Sequence, residues 1–468
     1  MARRIRRTNR KNSKRLNSKR LNSRRFNSKR RSKVANRRNT MRRNTMRKNN
    51  KRRSKVANRK YMKRKTFGGM QRQTGEGPIT IKPSTKHVYG MADTIGYRRS
   101  MEDCMTVYGG MKDNVDYFAV FDGHGGRNVS QFVAQTAHQV IESHADWVKS
   151  VPPIETILAD SFPLITQKIQ EEFTIDEVEK QGTTAVIVII KDVPAKIHHP
   201  AKKMLYVANL GDTRAVIGGG GGSRFSTEDH KPGEEPEITR IRDAGWDVMN
   251  YQGTMRLKAP SLIALSRAFG DLGSRHLAGP DSIVLSDVPD VSTVPLQDTD
   301  KVLIIACDGL WDVMNNDEAV KRVMYLCSRG CSAEEAAFYL RDLALEYGSR
   351  DNISVMVVLL GEIAQDPIEK VSFFSNEKDG KLGTVFGDDW PSVKRIAEES
   401  LAGEQGKIVA GNAILAINGN SMNGKTFNDV KRSVKNRPLI LTFSDNKNVS
   451  YNEDCDKAAS NYPKKQAL

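Results

Sequence analysis

The chain reads as a layered α+β fold with appended parts, on three observations. Eight short β-branched runs lie between residues 85 and 361, bounded by Gly, Asp or Asn. Three helix-periodic apolar stripes share that region. They are grouped apart from the strands instead of alternating with them, which disfavours a doubly wound parallel sheet. The charge is also split: residues 1–65 hold 31 Lys and Arg and no acid, whereas the other 403 residues carry 44 basic and 55 acidic side chains. The net +20 therefore belongs to the first segment, and the body is mildly acidic.

Residues 1–65 are repetitive. KRLNS recurs at Lys14–Ser18 and Lys19–Ser23, RRNTM twice between Arg37 and Met46, and RRSKVANR at Arg30–Arg37 and Arg52–Arg59. A five-residue step turns a helix by about 140° net, so Leu16, Leu21 and Phe26 form no common stripe. Like charge with almost nothing to bury predicts a disordered tail. Residues 66–84, with four Gly and two Pro, read as a linker.

The segment 85–361 is expected to be the main domain. Strands are read at Val107, Tyr117–Phe121, Thr183–Ile190, Met204–Ala208, Ala215–Ile217, Ile263–Leu265, Val302–Ala306 and Ser354–Leu360. Gly218–Gly222 makes a hairpin tip. Helical stripes run from Val129 to Ile141, from Ile154 to Phe173 with a kink expected at Pro163, and from Ala336 to Tyr347. Residues 362–370 read as a second linker, 371–443 as a small third domain and 444–468 as a polar tail that stays mobile.

Several classes are excluded by composition. No apolar run approaches the ~18–20 residues that cross a bilayer, and no apolar stretch near the start resembles a secretory signal. The five cysteines form no C-x-x-C pair, and none is followed six residues later by Arg. That pattern fits a reducing, intracellular setting and argues against a zinc ribbon or a cysteine-based phosphatase loop, and the recurring Lys/Arg-rich runs favour a nuclear address, with the cytoplasm the other expectation.

Acidic residues recur beside glycine at predicted strand ends: Glu102 and Asp103 after Arg98; Asp122, Gly123 and His124; Asp212 after Gly211; Asp308 and Asp312; and Asp351. One Asp-Gly pair is ordinary turn chemistry. Five such places in one domain, with Arg and His among them, gather more negative charge than turns require. Oxygen-only donors select hard divalent cations, Mg²⁺ or Mn²⁺.

These residues resemble the metal-dependent protein serine/threonine phosphatases of type 2C. The resemblance spans residues 88–361 through GYRRSMED, FAVFDGHGG, GTTAV, LYVANLGDTRAV, EDHKP, LSRAFGD, CDGLWDVM and SRDNISV, in that order. It implies an antiparallel β-sandwich with helix pairs outside, and an active, signalling hydrolase with phosphoprotein substrates. It also implies roles. Asp122 bridges two ions and the Gly123 carbonyl binds one. Asp308 and Asp351 complete the first ion and Glu102 the second, while Asp103 orients the attacking water. Asp212, Asp308 and Asp312 match a looser third ion. Arg98 holds the phosphate, and His124 protonates the leaving oxygen. Gly182, Thr183 and Thr184 are expected near the site as packing, His230 as a turn histidine, and Asp271 receives no role.

Gly419–Thr426 matches the P-loop pattern G-x-x-x-x-G-K-[ST], but only 42 residues follow, too few for the parallel sheet that such a loop serves. Ser392–Ile396, Ser400–Ala402, Gly406–Ile408, Gly411–Gly419, a short helix and Leu439–Phe443 instead resemble a PDZ domain, which captures peptide C-termini by strand addition. Leu382, Gly383, Thr384, Val385 and Phe386 correspond to the carboxylate-binding loop and strand, and Thr426 and Val430 to the helix beside it. Asn412 replaces the usual Asp, and Thr426 leaves the peptide preference open.

Two readings follow. One is a monomeric Mg²⁺/Mn²⁺-dependent phosphatase whose basic tail and PDZ-like module choose its targets. The other is a polyanion-binding protein whose catalysis is secondary, the tail gripping RNA, DNA or anionic lipid by counterion release. Deleting residues 1–65 is expected to abolish binding to heparin, RNA and anionic vesicles and to leave kcat/KM on a phosphopeptide unchanged. On nucleic acid, the full chain's log K should fall by roughly 0.7–0.9 per neutralised phosphate for each decade of salt. Polyanion binding that survives the deletion, in a filter-binding assay, refutes the tether.

Overall fold

The computed structural model describes residues 79–84, 86–148, 153–194, 202–279, 281–366 and 369–375, then interrupted stretches between 382 and 466. The basic repeats of residues 1–65, and Gly383, Thr426 and Val430 of the PDZ-like reading, lie outside the described residues.

Two sheets make the centre of the main domain. The first has six strands in the order Ile79–Lys82, Cys104–Met111, Val115–Phe121, Ala185–Val193, Lys202–Leu210 and Asp290–Pro295. All neighbours are antiparallel except the first pair, which is parallel. The second has five antiparallel strands, Gly222–Ser226, Arg214–Gly219, Val302–Ala306, Ile353–Leu359 and Tyr89–Thr94.

Alternating residues meet between the sheets. Val107, Phe118, Val120, Val186, Val188 and Val207 of the first pack on Ala215, Ile217, Leu303, Ile305, Met356 and Val358 of the second. The opposite faces are covered by helices. Tyr117, Ala119, Phe121, Ile187 and Ile189 lie under Asn128–Ser143 and Ile154–Glu172. Ile304, Val355 and Val357 lie under Asn316–Cys327 and Ala333–Glu346. Strands buried on both faces need apolar residues at every position, so these runs are continuous and show no alternation. The expected β-sandwich with helices outside is therefore the fold of this domain.

The glycine run forms the expected tip, with Gly220 and Gly221 between paired strands. The helix from Ile154 continues through Pro163 to Glu172, so the expected kink does not break it. Ile263–Leu265 is not a strand. The Ile263 carbonyl accepts from Leu257 N, and Leu265 joins a small satellite core with Ile241, Leu257, Ala268, Val284 and Leu285. This lobe carries the helix Glu235–Asp243 and the hairpin Val248–Tyr251/Thr254–Leu257. Its hairpin strands are four residues each and mostly exposed or half-buried, so they give no continuous apolar run.

Among the described residues after 368, Lys370–Phe374, Leu439–Ser444, Ala413–Ile417 and Asn420–Ser421 form a four-stranded sheet, with a separate hairpin Thr384–Phe386/Val393–Ile396. The polar tail differs from expectation. Tyr451–Asn461 is a helix whose Ala458 is fully buried in the local core. Asp456 on that helix accepts from Ser421 Oγ (2.6 Å) and Asn423 Nδ2 (2.9 Å). Small and polar contacts hold it, so no apolar stripe announced it.

The segment 362–370 is pinned as well. Arg329 pairs with Glu369 (3.0 Å) and Asp366 (3.2 Å), and Asp366 N donates to the Ser328 carbonyl (2.7 Å). Val371, Phe373 and Ile440 enter the same core as the Asn316–Glu346 helix pair. Buried Arg322 donates to the hydroxyls of Tyr339 and Tyr347, and Tyr339 shares a 2.6 Å hydrogen bond with Tyr462.

Phe118 is fully buried in the core between the sheets, so its truncation would open a cavity there. Phe118→Ala is expected to cost about 3–5 kcal/mol of unfolding free energy, read by denaturant titration.

Candidate active site

Strand ends converge at one end of the sandwich. Asp122 follows Val115–Phe121, Asp212 follows Lys202–Leu210, Asp308 follows Val302–Ala306 after Cys307, and Asp351 precedes Ile353–Leu359. The loops after Val302–Ala306 and before Ile353–Leu359, neighbouring strands of the second sheet, approach so closely that a Cβ on Gly309 would lie 2.0 Å from the Asn352 carbonyl oxygen. Only glycine fits that position. Asn352 clamps the neighbouring loop: its Nδ2 donates to the carbonyls of Ile95 (3.0 Å) and Ser100 (2.9 Å), and its Oδ1 accepts from Glu102 N (2.9 Å). Thr183 and Thr184, expected as packing, hold the backbone of Asp122 through three hydrogen bonds of 2.9–3.2 Å.

The carboxylates crowd one another. Asp122, Asp212 and Asp308 each bring an oxygen to within 4.8 Å of the other two, and Asp103, Asp122 and Cys307 form a second such group. Burial and then the neighbouring carboxylates push Asp122 and Asp308 well above the ordinary carboxylate range. Burial pushes Asp212 up to about 6 although Lys231 opposes it, and Asp103 up to about 7. Neither oxygen of Asp103 makes a hydrogen bond of good geometry. The Cys307 thiol is engaged by backbone, accepting from Ser354 N (3.2 Å) and donating to the Asn352 carbonyl (3.4 Å), which suits a packing role. An all-oxygen, mutually repelling donor set with unpaired buried oxygens fits hard divalent cations.

The other expected residues surround this cluster. Glu102 is in neither tight group; its carboxylate accepts from Ser100 Oγ (2.5 Å) and Gly126 N (3.1 Å). Gly123 pairs with Thr183 in a short strand, and a Cβ there would lie 2.3 Å from the Glu102 carbonyl oxygen. The Arg98 side chain, 59% exposed, donates through Nη2 to Asp351. Burial raises Asp351, and Arg98 works against that rise. Asp312 is largely exposed. His124 Nε2 lies 2.5 Å from Asp271 Oδ2. Burial would lower the imidazole pKa, but the Asp271 carboxylate outweighs it and the net shift is upward.

Two contributors escaped the sequence reading. Lys231 Nζ stands 3.6 Å from Asp312, 3.7 Å from Asp229 and 3.8 Å from Asp212 as an internal counter-charge. Its signal was the EDHKP turn, where it directly follows His230. That histidine is structural, accepting from Gly211 N at Nδ1 (3.1 Å) with Nε2 3.1 Å from Asp290. The second contributor is Asp271, legible only once the fold places it on His124.

Comparison with known proteins agrees with this geometry. The sequence model described as Protein phosphatase 2C matches residues 88–353. The bovine Protein phosphatase 1B (Bos taurus) is 30% identical over 335 residues, covering 68% of this chain and 64% of that protein's length. Protein phosphatase 2C homolog 1 of Saccharomyces cerevisiae is 33% identical over 275 residues, covering 56% of this chain and 89% of the yeast protein. Among solved structures, a serine-threonine phosphatase 2C from Toxoplasma gondii superposes with a TM-score of 0.50 at 23% identity, over 60% of this chain and 97% of that one, a likeness of fold. From its matched segment and its converging carboxylates, this chain belongs to the protein phosphatase 2C family of metal-dependent serine/threonine phosphatases.

Proposed function

We propose that the chain hydrolyses phosphoserine and phosphothreonine in proteins, with residues 85–361 as the catalytic domain. The observation that carries this is the approach of Asp122, Asp212 and Asp308 to within 4.8 Å of one another, each with its proton affinity raised. In this reading Asp122, the Gly123 carbonyl, Asp308, Asp351 and Glu102 hold two Mg²⁺ or Mn²⁺ ions, and Asp212, Asp308 and Asp312 a looser third. Bound there, such ions neutralise phosphate charge and make hydroxide available near neutral pH. Asp103 accepts a hydrogen bond from the attacking water and so aims it at phosphorus. Arg98 releases Asp351 and turns its planar fork onto two phosphate oxygens, matching them with parallel N–H donors. His124 donates a proton to the serine or threonine oxygen as the P–O bond breaks, since an alkoxide leaves poorly without one.

Targeting falls to the flanking parts. The 371–443 unit is read as a PDZ-like peptide binder, supported by the hairpin Thr384–Phe386/Val393–Ile396 beside a small sheet. Residues 1–65 are read as a polyanion tether. Among the described residues no helix is long and apolar enough to cross a membrane.

Carboxylates whose folded pKa lies above the unfolded value of 3.8 favour folding when protonated, and that contribution is lost as pH rises through about 6 for Asp212 and about 7 for Asp103. Chelated protein should therefore gain more in Tm from added Mg²⁺ or Mn²⁺ at about pH 7.5 than at about pH 5.5, by calorimetry. An equal gain at both pH values counts against this cluster as the metal site. Asp122→Asn should reduce phosphopeptide turnover by several orders of magnitude with the fold retained by circular dichroism. His124→Ala should lower kcat by roughly 10²–10⁴-fold on phosphoserine and far less on an aryl phosphate, whose phenolate leaves without a proton. Equal losses on both substrates would exclude the general-acid role.

A further inference from the structure

We infer that Asp271 is a positioning residue for His124, fixing its ring so that Nδ1 delivers the proton to the leaving oxygen. The inference rests on the proposed general-acid role of His124 and assigns a partner to it.

The two residues are joined by a miniature sheet. Gly123–His124, Gly182–Thr183 and Phe269–Gly270 form three two-residue strands, with His124 opposite Gly182 on one side and Gly270 opposite Gly182 on the other. Asp271 follows Gly270 directly, so the register sets its carboxylate beside the imidazole. Gly182 leaves the space between them: a Cβ there would lie 2.2 Å from Asp271 Oδ2 and 2.7 Å from His124 Nε2. Asp271 adopts a left-handed backbone (φ 47°, ψ 46°), which a non-glycine residue takes at an energetic cost. That conformation is held by Asp271 N donating to the Gln181 carbonyl (2.8 Å) and Ser274 N donating to the Asp271 carbonyl (2.7 Å).

The Asp271 side chain is buried, and its Oδ1 has no hydrogen-bond partner. Nearby Arg275 is committed to Asp287 at 2.7 Å. The carboxylate's direct partner is thus His124, at 2.5 Å. A hydrogen bond from Nε2–H to a buried carboxylate fixes which ring nitrogen remains for chemistry. That nitrogen is Nδ1, on a side chain that is 29% exposed. In the reaction, water oxygen bonds to phosphorus, keeping one proton on the phosphate product and releasing the other to solvent, and the bond to the serine or threonine oxygen breaks. The departing electron pair takes the Nδ1 proton, and solvent restores it.

The test uses full-length protein with Mn²⁺, a phosphoserine peptide and p-nitrophenyl phosphate. Asp271→Asn should lower kcat on the peptide roughly 10- to 100-fold at unchanged KM, a part of the general-acid contribution. It should change aryl phosphate turnover by less than about threefold, because the phenolate needs no proton. Combined with His124→Ala, it should add no further loss on the peptide. Equal losses on both substrates, or additive losses in the double variant, would overturn the inference and leave a structural ion pair. If His124→Ala itself fails to discriminate the substrates, the general-acid reading falls and this inference with it; if only Asp271→Asn fails, the inference alone falls. Ring-nitrogen NMR of the unsubstituted protein gives a readout independent of activity and of variant folding. A proton on His124 Nε2 is expected, and an unprotonated Nε2 overturns the proposal.

Discussion

The constraint on which the structure turns is electrostatic: several carboxylates must sit closer together than they would choose. Asp122, Asp212 and Asp308 lie within 4.8 Å of one another, and Asp103 is buried against Asp122 with both oxygens unpaired. Like charges at such distances in a poorly solvated place repel by several kcal/mol, so a flexible loop would simply part them. Here each is attached to the end of a strand buried on both faces, in sheets locked by Phe118, Val188, Leu303 and Met356. Close-packed interiors deform little, and the strain is held at the site instead of relaxing away. Divalent cations relieve it, so the preference for metal is built into the core as much as into the ligands.

Around that centre the protein places counter-charges at graded distances. Lys231 sits among Asp212, Asp229 and Asp312, and Arg98 rests on Asp351. Neither is enclosed: both side chains keep part of their surface in solvent. Asp271 is different. Its burial and the three-strand register hold it on His124, which makes that pair a fixture of the site and not a mobile contact.

The C-terminal unit is not strung from the catalytic domain on a free linker. Arg329 bonds Glu369 and Asp366, the guanidinium of Arg322 lies 5.7–5.9 Å from the ring centroids of Tyr339, Tyr347 and Tyr462, and Tyr325 meets Thr442 at 3.1 Å. Buried guanidinium groups with all partners in place are costly to expose singly, since removal of one partner strands a charge. The helix pair Asn316–Cys327 and Ala333–Glu346 therefore serves two faces, the catalytic sheet on one and the C-terminal sheet on the other.

Much was legible in the sequence for a simple reason. Strands buried on both faces must be apolar throughout, helices over them must carry a stripe, and carboxylates gathered at strand ends recur beside glycine in the sequence. Those are local rules, and they located the sandwich strands, the long helices, Asp122, Asp212 and Asp308. Elements held by polar or sparse contacts obey no such rule. The satellite lobe at 235–285, the helix Tyr451–Asn461 and the pinned segment 362–370 were missed for that reason. The pairing of His124 with Asp271, 147 positions apart, and of Lys231 with Asp312 depends on register between strands distant in sequence. Residue types thus determined which chemistry the chain can hold. Only the tertiary structure decided which charge faces which, because distances between separate strands are set by packing and are written in no single segment.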